Sequence, residues 1–278
     1  MDCFTGRRRS PQLKHSRTQY LSCGLLYRTP TLSDETLADY YDVVPFQRWE
    51  ASKFHPIDRA VLAALKSLPP GSRILDYGCS SGRLLSTLCH EYECYGSEVN
   101  SAAASEASTR GLRMIEPALL ARAMPVKFDA IVLVDVFEHL RKPVVLLRQL
   151  AQHLRPGALL VIATGNGDAA ACRRDPAQFW YFRTQEHLCM LTERHARHLA
   201  AALGLALESL TQTCHYDLSV REKAVLWFQD FIYWQFRRRT FLARTLLPLL
   251  PKIRRARTWI SAPAYTCTRD HVVAVFRR

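Results

Sequence analysis

The chain has 278 residues and a formal net charge of +13, with 48% apolar and 23% charged side chains. That length can bury a sizeable core as one domain with additions, and the composition is that of an ordinary globular protein. Nine cysteines, an odd number without framework spacing, argue against a disulfide scaffold.

Residues 1–19 hold Arg7, Arg8, Arg9, Lys14 and Arg17 against Asp2, a net of +4, and are expected to form a mobile basic tail. The first residues lead into no apolar run of the kind a secretory signal carries, so the expected location is a reducing cytoplasm. Residues 20–55 read as a linker. Ser33, Asp34 and Glu35 supply helix-start chemistry there, and Tyr40 and Tyr41 on that helix are expected to cover a ligand, Tyr41 reaching the substrate. A core domain is drawn over 56–217. It opens on a helix over 56–69 that ends at Pro69-Pro70-Gly71.

The segment Arg73-Ile74-Leu75-Asp76-Tyr77-Gly78-Cys79-Ser80-Ser81-Gly82-Arg83-Leu84-Leu85 is the most informative in the chain. A short apolar run ends in an acid, passes a loop bracketed by glycines and enters an apolar helix. Gly78 and Gly82 let a ligand approach the main chain, and N–H groups at a helix start favour a carboxylate or phosphate. A dinucleotide site wants glycine where Asp76 stands, because an acid repels a pyrophosphate. An acid suits an ammonium instead, and S-adenosylmethionine carries an ammonium, a carboxylate and no phosphate. Asp76, Gly78, Cys79 and Gly82 are therefore assigned to that cofactor, together with Asp135 further along the chain. Cys94-Tyr95-Gly96-Ser97-Glu98 is a second short strand ending in an acid, and Glu98 is assigned to the ribose hydroxyls.

Further strands are expected around 112–115, 128–135 and 158–164, alternating with helices such as 144–154, the rhythm of a parallel α/β sheet. Asp135, Glu138 and His139 follow the fourth strand at spacing i, i+3, i+4, which gathers them on one face if the segment turns helically. His187, in the loop after the fifth strand, can converge on them. Three readings stand for this group. His139 or His187 is a general base for an acceptor hydroxyl; or Asp135, Glu138, His139 and His187 hold a divalent metal; or Glu138 and His139 fix the pocket wall. Trp180 and Tyr181, within an aromatic run from Phe179 to Phe182, are candidates to line the acceptor pocket.

A helix over 192–203 ends at Gly204, and strands are expected at 205–210 and 271–276. Between them lies a basic, aromatic insertion, 218–265, before the closing segment 266–278. Its stretch 218–258 carries a net of +8, whereas residues 20–217 sum to −1. Aromatics among arginines over 224–257 are the pattern of an interfacial helix on anionic lipid, peripheral on the inner membrane face. Nucleic acid ranks last as a partner because the catalytic domain is not basic.

Ile74 to Leu85, Tyr95 to Asn100, Phe128 to Leu140 and Leu154 to Ile162 together resemble the motifs of class I S-adenosylmethionine-dependent methyltransferases, in the bacterial small-molecule and glycan branch. The resemblance runs from about Cys23 to His215 and resumes at His271. It implies a Rossmann-like sheet of seven strands whose last strand lies antiparallel between the fifth and sixth. None of these motifs specifies the methyl acceptor; taken with the acid–histidine group and the basic insertion, the expected activity is O-methylation of a sugar, lipid-linked glycan or small hydroxylated molecule. D/E-x-x-E-H followed by a later histidine resembles quinone-precursor and small-RNA 2′-O-methyltransferases, which keeps a metal-assisted RNA enzyme as an alternative. A methyltransferase-fold membrane scaffold without turnover is the non-enzyme alternative. Relatives carry a zinc module ending in C-x-x-C-G-L. Here Tyr20 replaces the first of those cysteines and Cys3 is alone, so no structural zinc is expected.

Overall fold

The computed structural model describes residues 17–43, 45–48, 53–122, 125–250, 253, 255–263 and 269–278. The expected tail lies outside them up to residue 16, but its end does not. Arg17–Tyr20 is strand β1 and pairs antiparallel with β2, Leu26–Thr29. The boundary at 19 is thus drawn too late, and the linker after it holds a strand as well as helix α1, Asp34–Val43. Cys23 is a free, half-buried thiol. Tyr20 donates its hydroxyl to the Gly167 carbonyl at 3.0 Å.

Helix α2, Pro56–Leu65, begins at a proline and buries Ile57, Val61 and Leu65, a stripe of four-residue spacing. In its first turn Asp58 accepts from the His55 N–H at 2.8 Å and pairs with Arg83 at 2.9 Å. Elements then alternate: β3 (Arg73–Tyr77), α3 (Arg83–Ser86), β4 (Glu93–Ser97), α4 (Ser101–Thr109), β5 (Arg113–Met114), α5 (Pro117–Leu120), β6 (Phe128–Val134), α6 (Pro143–Ala151) and β7 (Leu154–Gly165). After them come α7 (Ala170–Arg174), β8 (Cys189–Met190), α8 (Glu193–Leu203), β9 (Ala206–Thr213), α9 (Val220–Arg237), α10 (Phe241–Thr245) and β10 (His271–Arg277).

The main sheet has seven strands in the order β5-β4-β3-β6-β7-β10-β9. β3 pairs parallel with β4 and with β6, and β6 parallel with β7, while β10 runs antiparallel between β7 and β9. This is the expected Rossmann-like order. The apolar run of β6 follows from its place between two layers. Ile131 and Leu133 pack on one side with Leu147, Leu150 and Leu199 of α6 and α8. Ala130 and Val132 pack on the other with Val61, Leu65 and Leu85. A strand covered on both faces needs apolar residues at every position.

Strand order reverses at β3, whose neighbours β4 and β6 are reached by connections of opposite direction. The crevice at the carboxyl ends of β3 and β6 is where open α/β sheets bind ligands. A second, three-stranded sheet, β1-β2-β8, stands beside it. Through it Arg28 N–H donates to the Leu188 carbonyl, and Leu188 N–H donates to the Glu138 carbonyl, at 2.8 and 2.7 Å. The N-terminal strands therefore set the position of the loop that carries His187.

Candidate active site

Two loops meet at the crevice, 78–82 after β3 and 135–140 after β6. Gly78 sits at φ 80° and Gly82 at φ 75°, left-handed values that side chains resist. A Cβ on Gly78 would also lie 2.4 Å from Val136 Cγ2, so the glycine is what lets the loops touch. The expected donor array at a helix start is reduced. The N–H groups of Gly78 and Cys79 both go to the Ser97 carbonyl, at 2.7 and 3.2 Å, and α3 is a single turn. The Cys79 thiol points toward Gly96, where a Cβ would come within 2.7 Å of Sγ, and burial pushes its pKa up. Cys79 thus offers the loop its backbone and no thiolate.

Asp76 is buried, and burial, followed by the nearby charge of Glu98, pushes its carboxyl up to about 7. A cationic ligand group would relieve both effects. Glu98 clips the two loops of this edge together. Its Oε1 accepts from the N–H groups of Val99 and Asn100 at 2.8 and 2.9 Å, and its Oε2 from Ser80 N–H at 2.9 Å. Asn100 donates its side-chain amide to the Tyr41 carbonyl at 3.3 Å, and the Tyr41 hydroxyl stands 2.6 Å from His139 Nδ1. Helix α1 therefore lies beside the turn at Glu98–Asn100 and reaches the acid–histidine group.

The four residues read as one cluster separate into two. Glu138, His139 and His187 come together, with ligand atoms within 4.8 Å of one another. Asp135 turns away from them and meets His215 and His271 instead. The cause is local: the segment after β6 is a short 3-10 turn, Phe137–His139, and Asp135 precedes it at φ 52°. No helical face carries all three residues.

Tyr181 joins the two groups. Its hydroxyl is 2.9 Å from Asp135 Oδ1 and also contacts Glu138 Oε1, while Thr164 donates to Glu138 Oε2 at 2.7 Å. One hydroxyl has one proton, so two carboxylates cannot both receive it. Glu138 is fully buried, and that burial raises its pKa. A consistent network has a protonated Glu138 donating to the Tyr181 oxygen and Tyr181 donating to Asp135. Gly165 makes room for it, since a Cβ there would lie 2.5 Å from the tyrosine ring. His187 Nδ1 is 2.6 Å from the Tyr181 carbonyl. A carbonyl only accepts, so Nδ1 carries the proton and Nε2 the lone pair. Burial, then the neighbouring His139, holds His187 well below the usual imidazole pKa, so it is neutral.

Trp180 lines the site but is anchored. Its Nε1 donates to Asp270 Oδ2 at 2.9 Å, and its ring lies against Tyr181, His215 and His271. Sequence reasoning missed His215, Asp270 and His271. The last two read as the start of a structural strand, and only their adjacency as an acid–histidine pair hinted at more.

The chain matches the methyltransferase-domain family over residues 48–210, more than half its length. It belongs to that family. A ubiquinone biosynthesis O-methyltransferase of Xanthomonas campestris pv. campestris is 26% identical over 157 residues, 49% of this chain and 64% of that protein. The chain thus covers less than two thirds of that relative. Magnesium protoporphyrin IX methyltransferase from Synechocystis PCC 6803, solved with bound S-adenosylhomocysteine, superposes with a TM-score of 0.55. It is 14% identical, over 88% of this chain and 100% of that one. The [4+2]-cyclase SpnF superposes at 0.56 and is 16% identical, over 89% and 97%. At such identities the superpositions establish the fold alone.

Proposed function

We propose that this methyltransferase transfers a methyl group to a hydroxyl of a sugar, lipid-linked glycan or other small hydroxylated acceptor. The observation that carries the reading is the neutral His187, whose lone pair is on Nε2, beside His139 at the carboxyl edge next to the glycine loop. The acceptor oxygen forms the new O–CH3 bond, the S–CH3 bond breaks, and the sulfonium leaves as a neutral thioether. The hydroxyl proton passes to His187 Nε2 or through His139. Glu138, buried and bonded to Tyr181 and Thr164, positions this pair rather than reacting. The O-methyltransferase relative supports an oxygen acceptor.

The basic insertion supports work at the cytoplasmic face of an anionic membrane. Among the described residues no helix is long and apolar enough to cross one. The exposed Trp227, Phe228 and Phe231 and the adjoining Arg237, Arg238 and Arg239 suit contact with its surface.

The test is methyl incorporation from labelled S-adenosylmethionine into a panel of hydroxylated acceptors and their amine analogues. His187→Asn is expected to slow transfer by about 10²–10⁴-fold, the usual contribution of a general base, with S-adenosylhomocysteine affinity unchanged. Transfer confined to amine or carbon acceptors, or an undiminished rate in His187→Asn, would overturn the reading.

A further inference from the structure

Asp135, His215 and His271 come from three separate elements: the end of β6, the loop after β9 and the start of β10. Asp135 Oδ2 lies 3.9 Å from His215 Nδ1, and Asp135 Oδ1 lies 3.8 Å from His271 Nε2. These gaps are too long for hydrogen bonds. Both nitrogens are buried and have no hydrogen-bond partner. Buried polar atoms in a folded protein are nearly always satisfied, so two orphans aimed at one carboxylate call for a ligand. We propose that these three side chains hold a divalent first-row transition cation, distinct from the Glu138–His139–His187 group.

The distances fit a shared ion. Metal–nitrogen and metal–oxygen bonds of about 2.1 Å place neighbouring ligands about 3.4 Å apart in a tetrahedron and opposed ligands about 4.2 Å apart. The two separations from Asp135, 3.9 and 3.8 Å, fall between those limits, and all three ligand atoms lie within 4.8 Å of one another. Two imidazoles and a carboxylate select zinc, manganese, iron, cobalt or nickel over magnesium and calcium, which want oxygen ligands throughout.

The surroundings orient the ligands as metal sites do. His271 Nδ1 is 3.2 Å from Asp270 Oδ1, a contact that orients the ring with Nε2 toward Asp135. Asp270 Oδ1 also accepts from the His215 backbone N–H at 2.9 Å, and Oδ2 accepts from Trp180 at 2.9 Å. One buried carboxylate thus fixes both histidines. Tyr181 donates its hydroxyl to Asp135 Oδ1 at 2.9 Å and holds that carboxylate in place. Three protein ligands leave the coordination shell open.

The test uses the full chain, freed of metal with chelator and then titrated with Co2+, followed by visible absorption and by Zn2+ competition. One equivalent is expected to bind. His215→Ala, which removes a partly exposed ligand, should weaken binding at least ~100-fold, and Asp270→Asn about 10–100-fold, the usual effect of losing an orienting partner. His139→Ala and His187→Ala should leave it unchanged. S-adenosylhomocysteine affinity, measured on each variant, reports folding and the cofactor site separately from the cation. Cobalt binding that survives His215→Ala but is lost in His139→Ala or His187→Ala would move the ion to the other group. Failure of a variant-competent, cofactor-binding wild type to take up Co2+ or Zn2+ would overturn the proposal. Neither result would touch the assignment of the fold or of methyl transfer.

Discussion

Asp76 stands buried beside a second acid, and its pKa rises from an ordinary 3.8 to about 7. A raised carboxyl pKa means the folded protein holds a proton that the unfolded chain releases. The stability associated with that proton is fully present below about 4 and is lost as pH rises through 7. The cofactor reverses the sign, because its ammonium favours the ionised carboxyl. Affinity for S-adenosylhomocysteine is therefore expected to rise with pH, by up to about tenfold per unit below 7, and to level off above it. Asp76→Asn should bind weakly with a flat profile. Calorimetric titration across about pH 5.5 to 8 checks both, and a pH-independent wild-type affinity would remove Asp76 from the ammonium site.

At the scale of elements, the small N-terminal sheet decides whether His187 is in place. Arg28 of β2 donates to the Phe182 and Thr184 carbonyls, and its guanidinium lies over the Phe182 ring, 4.8 Å from the centroid. Arg28→Ala removes the clamp without touching the reacting groups. Transfer is expected to slow by about 100-fold, the cost of a displacement near 1 Å at a reacting centre, while S-adenosylhomocysteine affinity holds. Steady-state kinetics beside a binding titration checks it; an equal loss of both would mean global unfolding.

That dependence also marks the limit of what the sequence discloses. The glycine loop, Glu98 and the apolar strands were legible because each is a local pattern: a βα hinge, a strand-end acid, an uninterrupted apolar run. The partition of Asp135 from Glu138 was not, since it rests on one left-handed residue and a short 3-10 turn. The grouping of Asp135 with His215 and His271 joins positions far apart in sequence, through the antiparallel insertion of β10 beside β7. No periodicity reports such a meeting. The role of β1 and β2 was hidden for the same reason, because short strands with a distant partner look like linker.

Over the whole molecule, charge and exposed apolar surface coincide. Of the large apolar side chains exposed among the described residues, only Tyr20, Val99, Leu119 and Val145 lie outside 220–260. Helix α9 is docked by one side. Arg174 pairs with Asp230 at 2.7 Å and covers the Trp234 ring, and Tyr233 donates to Gln178 at 3.1 Å. Ile232, Ala243, Leu247 and Ala256 close a small core beneath it. The other side leaves Trp227 and Phe231 stacked in the open, their centroids 6.0 Å apart. Solvent alone does not favour such a face, while an anionic lipid surface offers apolar depth to the rings and about 1 kcal/mol to each nearby arginine. The protein is therefore expected to float with vesicles containing phosphatidylglycerol and to be released by about 0.5 M salt, which shortens the reach of the charges. Trp227→Ser with Phe231→Ser should abolish flotation and leave S-adenosylhomocysteine affinity intact, because neither residue touches the cofactor loops. Equal flotation with uncharged phosphatidylcholine would assign the binding to apolar contact alone. Absence of flotation from every vesicle would make α9 a protein-facing surface, since a face this apolar and this basic needs cover of one kind or the other.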